Sequence, residues 1–224
     1  MRHIAIMPRD DPDITPDLLL HAYAAGVFPM AETRDDPNLF WVDPRRRGIM
    51  PLDGFKAARS LRRAVRRKDY QVSLNRDFAG VVDGCADREE TWISDRIRTL
   101  YLSLFDLGHA HSLELWDASG QRLIGGVYGV TLGRAFFGES MFSRRRDASK
   151  IALLYLVDHL RRCGFALFDT QFLTAHLASL GGVEITRAEY RARLAEALEG
   201  DADITAHEVD RDPQAVLQRI TQTS

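Results

Sequence analysis

Apolar residues recur at helical spacing in three long stretches of the chain and at alternating or continuous spacing in four shorter ones. "TPDLLLHAYAAG" (15–26) predicts a helix, with Thr15 as N-cap, Pro16 in the first turn and Gly26 as its stop. "SDRIRTLYLSLFDLG" (94–108) predicts an amphipathic helix between Ser94 and Gly108. "DASKIALLYLVDHLRRCG" (147–164) predicts a third, capped by Asp147 and ended by Gly164. Its apolar residues cover more than one face, which fits a core helix, or one with a side left for a pocket. Between the last two, "HSLELWD", "RLIGGVYGVTLG" and "RAFFGESMFS" predict three strands, the first two joined across "ASGQ". "FALFDTQ" (165–171) reads as a buried strand. A helix turn, a short strand and a surface helix follow within 176–200.

Earlier, "YQVSLN" predicts a strand, "RDFAGVVDGCA" a short helix and "FKAARSLRRAVRRKD" (55–69) a helix. Residues 27–54, broken by Pro and Gly, predict irregular chain with two short strands. Three strands, a helix, a strand and a helix in this order imply a mixed sheet flanked by helices, an α+β fold. The domain expectation is a small N-terminal unit over 1–60, a main domain over 61–200 and a C-terminal tail, or short helix, over 201–224.

Composition narrows the setting. The chain has 224 residues, 45% hydrophobic and 28% charged, at net charge −2. That suffices for a real core. No apolar run reaches the length of a membrane span, and "MRHIAIMPRDDPDITPD" is too charged and Pro-rich for a signal peptide. Cys85 and Cys163 suit neither a disulfide framework nor zinc. His109 and His111 have no third ligand, so no metal is expected. A soluble, cytoplasmic, monomeric protein is the expectation.

Charge is distributed unevenly. Arg45, Arg46, Arg47, Lys56, Arg59, Arg62, Arg63, Arg66, Arg67 and Lys68 stand against the single acid Asp53. Arg59, Arg62, Arg63 and Arg66 share one helix face by spacing. This is either a phosphate-binding face or a solvated one paired with acids elsewhere. In "FSRRRDASK" (142–150), Arg144, Arg145 and Arg146 precede a helix with Lys150 in its first turn, where the dipole disfavours a cation. An anion site is expected there, against the alternative of a solvated turn.

Three further features carry candidate chemistry. Glu139 stands among Phe136, Phe137, Met141 and Phe142. It either points to water or is partly buried and needs a cationic partner, and a bulge at Gly138 decides which face it takes. Asp169 and Gln171 lie two apart on one strand, where they could orient a nucleophile and accept its proton, or be a helix cap and a solvent-facing amide. Trp41 and Trp92, in loop-like surroundings, are base-stacking platforms or rim packing.

The strings "LLLHAYAAGVFPM", "WVDPRRRGIMPL", "RSLRR", "TWIS", "LGHAHSLELW", "GGVYGVTLGRAFFGESMFSRRRDASK", "FDTQ" and "HLASLGG" resemble, in order, the bacterial leucyl/phenylalanyl-tRNA–protein transferases. The resemblance runs from about Asp17 to about Arg193 and is most specific in "GESMFS…ASK" and "HLASLG". It implies an enzyme that moves Leu, Phe or Met from aminoacyl-tRNA to the α-amine of proteins beginning with Arg or Lys, creating an N-degron. It implies a small N-terminal domain and a domain like the GNAT acetyltransferases, without their Gly-rich acyl-CoA loop, and no cofactor.

By the same resemblance, Val127, Met141, Leu153, Leu156, Leu160 and Phe168 surround the donor side chain, in a pocket that crowds Ile and Val, and Phe142 and Ser143 belong to the substrate-binding residues. Val127 stands where the family has a methionine. Glu139 meets the amines, and Trp41 and Trp92 pack near the terminal adenosine. Arg45, Arg46, Arg47, Arg59, Arg62, Arg63, Arg66, Arg67, Arg144, Arg145 and Lys150 hold tRNA phosphates. For catalysis, the expectation is that Gln171, oriented by Asp169, polarises the acceptor amine and Asp169 relays its proton. The terminal ribose 2′-hydroxyl is a competing base. The other readings are a tRNA-binding protein without catalysis and a CoA-dependent N-acetyltransferase.

Overall fold

The first helix sets the pattern of the N-terminal part. In the computed structural model, which describes residues 4–5, 14–31, 33–34 and 39–222, α1 (Pro16–Ala24) begins where Thr15 accepts from Leu18 N. Most of the charged stretch before it lies outside the described residues. Leu19, Ala22 and Tyr23 form its buried face. The Pro- and Gly-punctuated segment that follows holds three strands rather than two: β2 (Phe28–Met30), β3 (Phe40–Val42) and β4 (Arg46–Ile49). With β1 (Ile4–Ala5), β2 and β3 make a small sheet of order β1-β3-β2. β4 leaves it for the main sheet.

α2 (Arg59–Arg67) is next, shorter than the basic stretch predicts: it starts after Ala58, which makes no side-chain cap, and ends at Lys68 in the left-handed conformation. β5 (Tyr70–Leu74), α3 (Phe78–Ala86) and α4 (Asp95–Asp106) follow, the last capped by Ser94 as predicted. β6 (Ala110–Asp117), β7 (Leu123–Leu132) and β8 (Ala135–Ser143) form the predicted antiparallel run. Then come α5 (Ala148–Arg162), β9 (Leu167–Gln171), α6 (Ala175–Ser179), β10 (Val183–Thr186), α7 (Arg187–Leu198) and α8 (Pro213–Thr221).

The seven-stranded sheet has the order β10-β4-β9-β8-β7-β6-β5. All its pairs are antiparallel except β8 with β9, so the sheet is mixed and the fold α+β, as the element order predicts. Alternation splits its residues between two cores. Tyr128, Val130 and Phe137 pack on one face with α1, α3, α4 and α7. Val127, Phe136 and Phe168 pack on the other with α2, α5 and α8. α5 is buried nearly throughout, which explains its broad apolar surface.

Two local departures open the site. The parallel pairing of β8 with β9 ends at Phe137 and Asp169, after which the strands splay. In β8, Tyr128 faces Ser140 and Gly129 faces Gly138, so Glu139 is the extra residue of a bulge. A Cβ on Gly138 would lie 2.7 Å from Phe168 Cε2, so glycine lets the bulge sit against β9.

Candidate active site

The gap between β8 and β9 is a cavity of about 270 Å³. Val127, Met141, Leu153, Phe168 and Leu177 make its apolar wall, with Phe28, Pro29, Met30 and Phe172 contributed from the N-terminal part and the segment after β9. Glu139, Gln171, Thr170, Ser140, Arg88 and Trp92 supply its polar and rim groups. An apolar chamber with a few convergent polar atoms is the usual form of a small-molecule site.

Glu139 is the hub. Its Oε1 accepts from Tyr23 OH at 2.7 Å and from Gln171 Nε2 at 3.2 Å, and its Oε2 accepts from Tyr101 OH at 2.6 Å. The two tyrosine hydroxyls are 2.8 Å apart. Burial pushes the Glu139 carboxyl up to about 7, against the two tyrosine hydrogen bonds, which favour the anion. Burial also raises both tyrosines well above their usual range, so they remain donors to the carboxylate. A carboxyl near neutrality, half-open to an apolar cavity, can take up and return a proton at ordinary pH.

Gln171 ends β9 in the left-handed region, with φ 56. For a residue other than glycine this costs roughly 1–3 kcal/mol, so something must hold it. Asp169 does: its Oδ1 accepts from Gln171 N at 2.8 Å. Asp169 is itself 0% exposed and bound by Arg47, which donates from Nε to Oδ1 at 2.9 Å and from Nη2 to Oδ2 at 2.6 Å. Tyr190 OH donates to Oδ2 at 2.7 Å. Arg47 lies between the rings of Phe28 and Tyr190, 4.6 and 4.4 Å from their centroids, and donates to Gly26 O. The neighbouring Gly48 keeps this strand close: a Cβ there would meet Leu173 N at 2.7 Å.

This wiring differs from the expected relay. Asp169 touches the backbone of Gln171, not its amide, and its oxygens are already filled by Arg47 and Tyr190. It orients Gln171, and the group that the Gln171 amide contacts is Glu139. Arg47, expected on a tRNA surface, is 1% exposed and serves this buried pair.

The structure gathers Trp92, Val127, Glu139, Met141, Leu153, Phe168 and Gln171 in the cavity. The other expected pocket residues lie elsewhere. Phe142 packs on the α3 side, its ring under Gly84, and Leu156 and Leu160 lie in the core beneath the cavity wall. Ser143 Oγ accepts from Ser149 N and so caps α5. Asp147, expected to be that cap, has φ 65 and no such bond. Trp41 is buried in the small sheet. Sequence reasoning missed Tyr23 and Tyr101, which fall on the apolar faces of α1 and α4. Their signal is a hydroxyl-bearing ring where the face otherwise carries aliphatic residues.

The basic segments divide. On α2, Arg59, Arg63, Arg66 and Arg67 are exposed, Arg62 is half-buried, and none of the five has a carboxylate partner among the described residues. A helix with cations in its first turn and like charges one turn apart is destabilised by both. The buried Leu61, Ala64 and Val65 hold it in place. By contrast Arg46 lies 3.7 Å from Glu184, Arg144 3.8 Å from Asp87, Arg145 3.0 Å from Asp69 and Lys150 3.5 Å from Asp147, while Arg45 is exposed beside β4. The Arg145–Asp69 contact sets the 144–146 turn next to the C-terminal end of α2.

Comparison with known proteins bears on these features together. Residues 49–195 match the family described as leucyl/phenylalanyl-tRNA protein transferase, and residues 12–45 match the N-terminal domain of that family. A curated leucyl/phenylalanyl-tRNA–protein transferase of Ruegeria pomeroyi is 68% identical over 211 residues, covering 94% of this chain and 99% of that one. One of Cereibacter sphaeroides is 63% identical over 213 residues, covering 95% and 99%. The structure of L-PGS from Bacillus licheniformis aligns with a TM-score of 0.46 at 11% identity, covering 68% of this chain and 64% of that one. Among the described residues, no helix is long and apolar enough to cross a membrane.

Proposed function

The chain belongs to the leucyl/phenylalanyl-tRNA–protein transferase family, and from that premise we propose that its cavity takes Leu, Phe or Met from aminoacyl-tRNA and passes it to proteins beginning with Arg or Lys. The product then carries an N-degron and is consumed by proteolysis in the cytoplasm. The observation that carries this reading is the apolar chamber ending at Glu139: one compartment for the donor side chain, with a proton-accepting group at its mouth.

The donor is an ester and needs no further activation. The acceptor is an α-amine of pKa about 7.7–8.0, partly neutral at pH 7. Its nitrogen attacks the ester carbonyl, the N–C bond forms and the C–O bond to the ribose breaks. The proton lost by nitrogen passes to Glu139 and returns to the departing ribose oxygen. Gln171, tied through Nε2 to Glu139, offers its Oε1 to the incoming amine. Tyr23 and Tyr101 hold the carboxylate in place. Most of the gain is positioning, since the two reactants are brought together in one cavity. The arginines of α2 hold the tRNA backbone.

The donor rule has a direct test. Leu153 and Phe168 are among the apolar residues that line the cavity, and on this reading they leave a side chain branched at Cβ too little room. In single-turnover transfer from matched tRNAs, Phe, Leu and Met should move at least tenfold faster than Ile or Val, the scale of one misplaced methyl in an apolar pocket. Equal rates for Ile and Leu would remove this cavity from the donor's path.

A further inference from the structure

The arginine face of α2 does not stand alone. α8 packs beside α2 in the opposite direction: Gln214, Leu217 and Gln218 line a groove with Arg62 and Arg66, and Thr221 reaches the Arg62 end. The groove encloses about 510 Å³. α8 lies outside both matched family segments, yet it is built in firmly. Val216, Leu217 and Ile220 are buried, and Arg219 makes a bidentate pair with the buried Asp158.

At the other end of the groove, Arg211 precedes α8 and lines a second cavity of about 260 Å³ with Lys68 and Arg76. The acids beside Arg211 are engaged within the chain, Asp210 half-buried and Asp212 exposed. Asp210 pairs with Arg219 and accepts from Asp212 N, while Asp212 caps α8 by accepting from Gln214 N. Among the described residues, no carboxylate lines either cavity. Neither Lys68 nor Arg211 has an ion-pair partner among the described residues.

We propose that the C-terminal segment 211–221 forms the second wall of the tRNA-backbone track whose first wall is α2, with Arg211 at one end and the amides of Gln214 and Gln218 along it. This rests on the reading of α2 as the tRNA-binding helix. A nine-residue helix spans about 13 Å. Cations and neutral amides facing each other across such a groove suit a phosphodiester chain, where cations take the charge and amides and hydroxyls meet phosphate and sugar oxygens. An acidic protein segment would offer carboxylates too, but the family's donor already brings an RNA to this enzyme.

The test is the dissociation constant of uncharged tRNA, measured between 50 and 200 mM salt, for Arg211→Ala and for the double variant Gln214→Glu/Gln218→Glu. Circular dichroism and the thermal midpoint check that both remain folded. All three side chains are exposed, so the fold should survive. The expected result is about tenfold weaker binding for the double variant, and a salt slope smaller by about 1 for Arg211→Ala, as for the loss of one phosphate contact. Arg62→Ala/Arg66→Ala is the reference. If it weakens binding while the C-terminal variants do not, α2 binds alone and the proposal fails. If none of the variants matters, the reading of α2 fails with it.

Discussion

Glu139→Gln should slow single-turnover transfer by about 10²–10⁴-fold while leaving tRNA affinity close to that of the unaltered protein. That range is what a positioned proton acceptor contributes. Gln keeps the shape and can still meet the two tyrosines and Gln171, but it cannot take the amine's proton. The same substitution has a stability signature of predictable sign. The folded state raises the Glu139 carboxyl from 4.5 to about 7, so it binds this proton more tightly than the unfolded chain does. The stability due to this group is therefore fully present below pH 4.5 and is lost as pH rises through about 7. Measured by urea unfolding, Glu139→Gln should gain on the unaltered protein between pH 5 and pH 8. If Glu139→Gln transferred at the unaltered rate, the ribose 2′-hydroxyl of the donor would be the better candidate for the base.

The second large effect lies one layer below the cavity. Arg47→Met should destabilise the fold by about 3–5 kcal/mol, the cost of leaving a buried charge without its partner. Asp169 has no exposed surface on which to find another. Adding Asp169→Leu should restore most of that loss, because replacing both members of a buried pair with apolar side chains is often close to neutral. Transfer should not return with stability. Without Asp169 nothing accepts from Gln171 N, the left-handed turn is released, and the amide no longer meets Glu139. Urea unfolding and single-turnover transfer on the same three proteins separate the two roles. A loss below about 1 kcal/mol for Arg47→Met would mean that water reaches this pair.

Much of the frame is legible in sequence because pattern and capping agree. β6, β7, β8 and α4 follow their apolar periodicity and turn residues almost to the residue. The start of α5 is misread because Asp147 has the right chemistry for a cap but takes a left-handed conformation, and Ser143, four residues earlier, supplies the bond. β4 is hidden by its two arginines, Arg46 and Arg47, which look like surface. One of them is the buried half of an ion pair whose other half is far along the chain. Composition cannot tell Arg47 from Arg46; only the arrival of Asp169 does. The same holds for Tyr23 and Tyr101, which converge on Glu139 from two helices. The bulge that aims Glu139 into the cavity depends on register with β7, which the β8 sequence alone does not contain. Residues after Asp201 look polar, yet α8 buries an apolar edge against α5.

The most direct measurement is transfer of radiolabelled phenylalanine from Phe-tRNA to a peptide beginning with Arg, beside the same peptide beginning with Ala, with acetyl-CoA supplied as a rival donor. The account predicts label on the Arg peptide alone and no acetylation of either. Tight tRNA binding with no transfer to the Arg peptide, or acetylation in place of transfer, would contradict it.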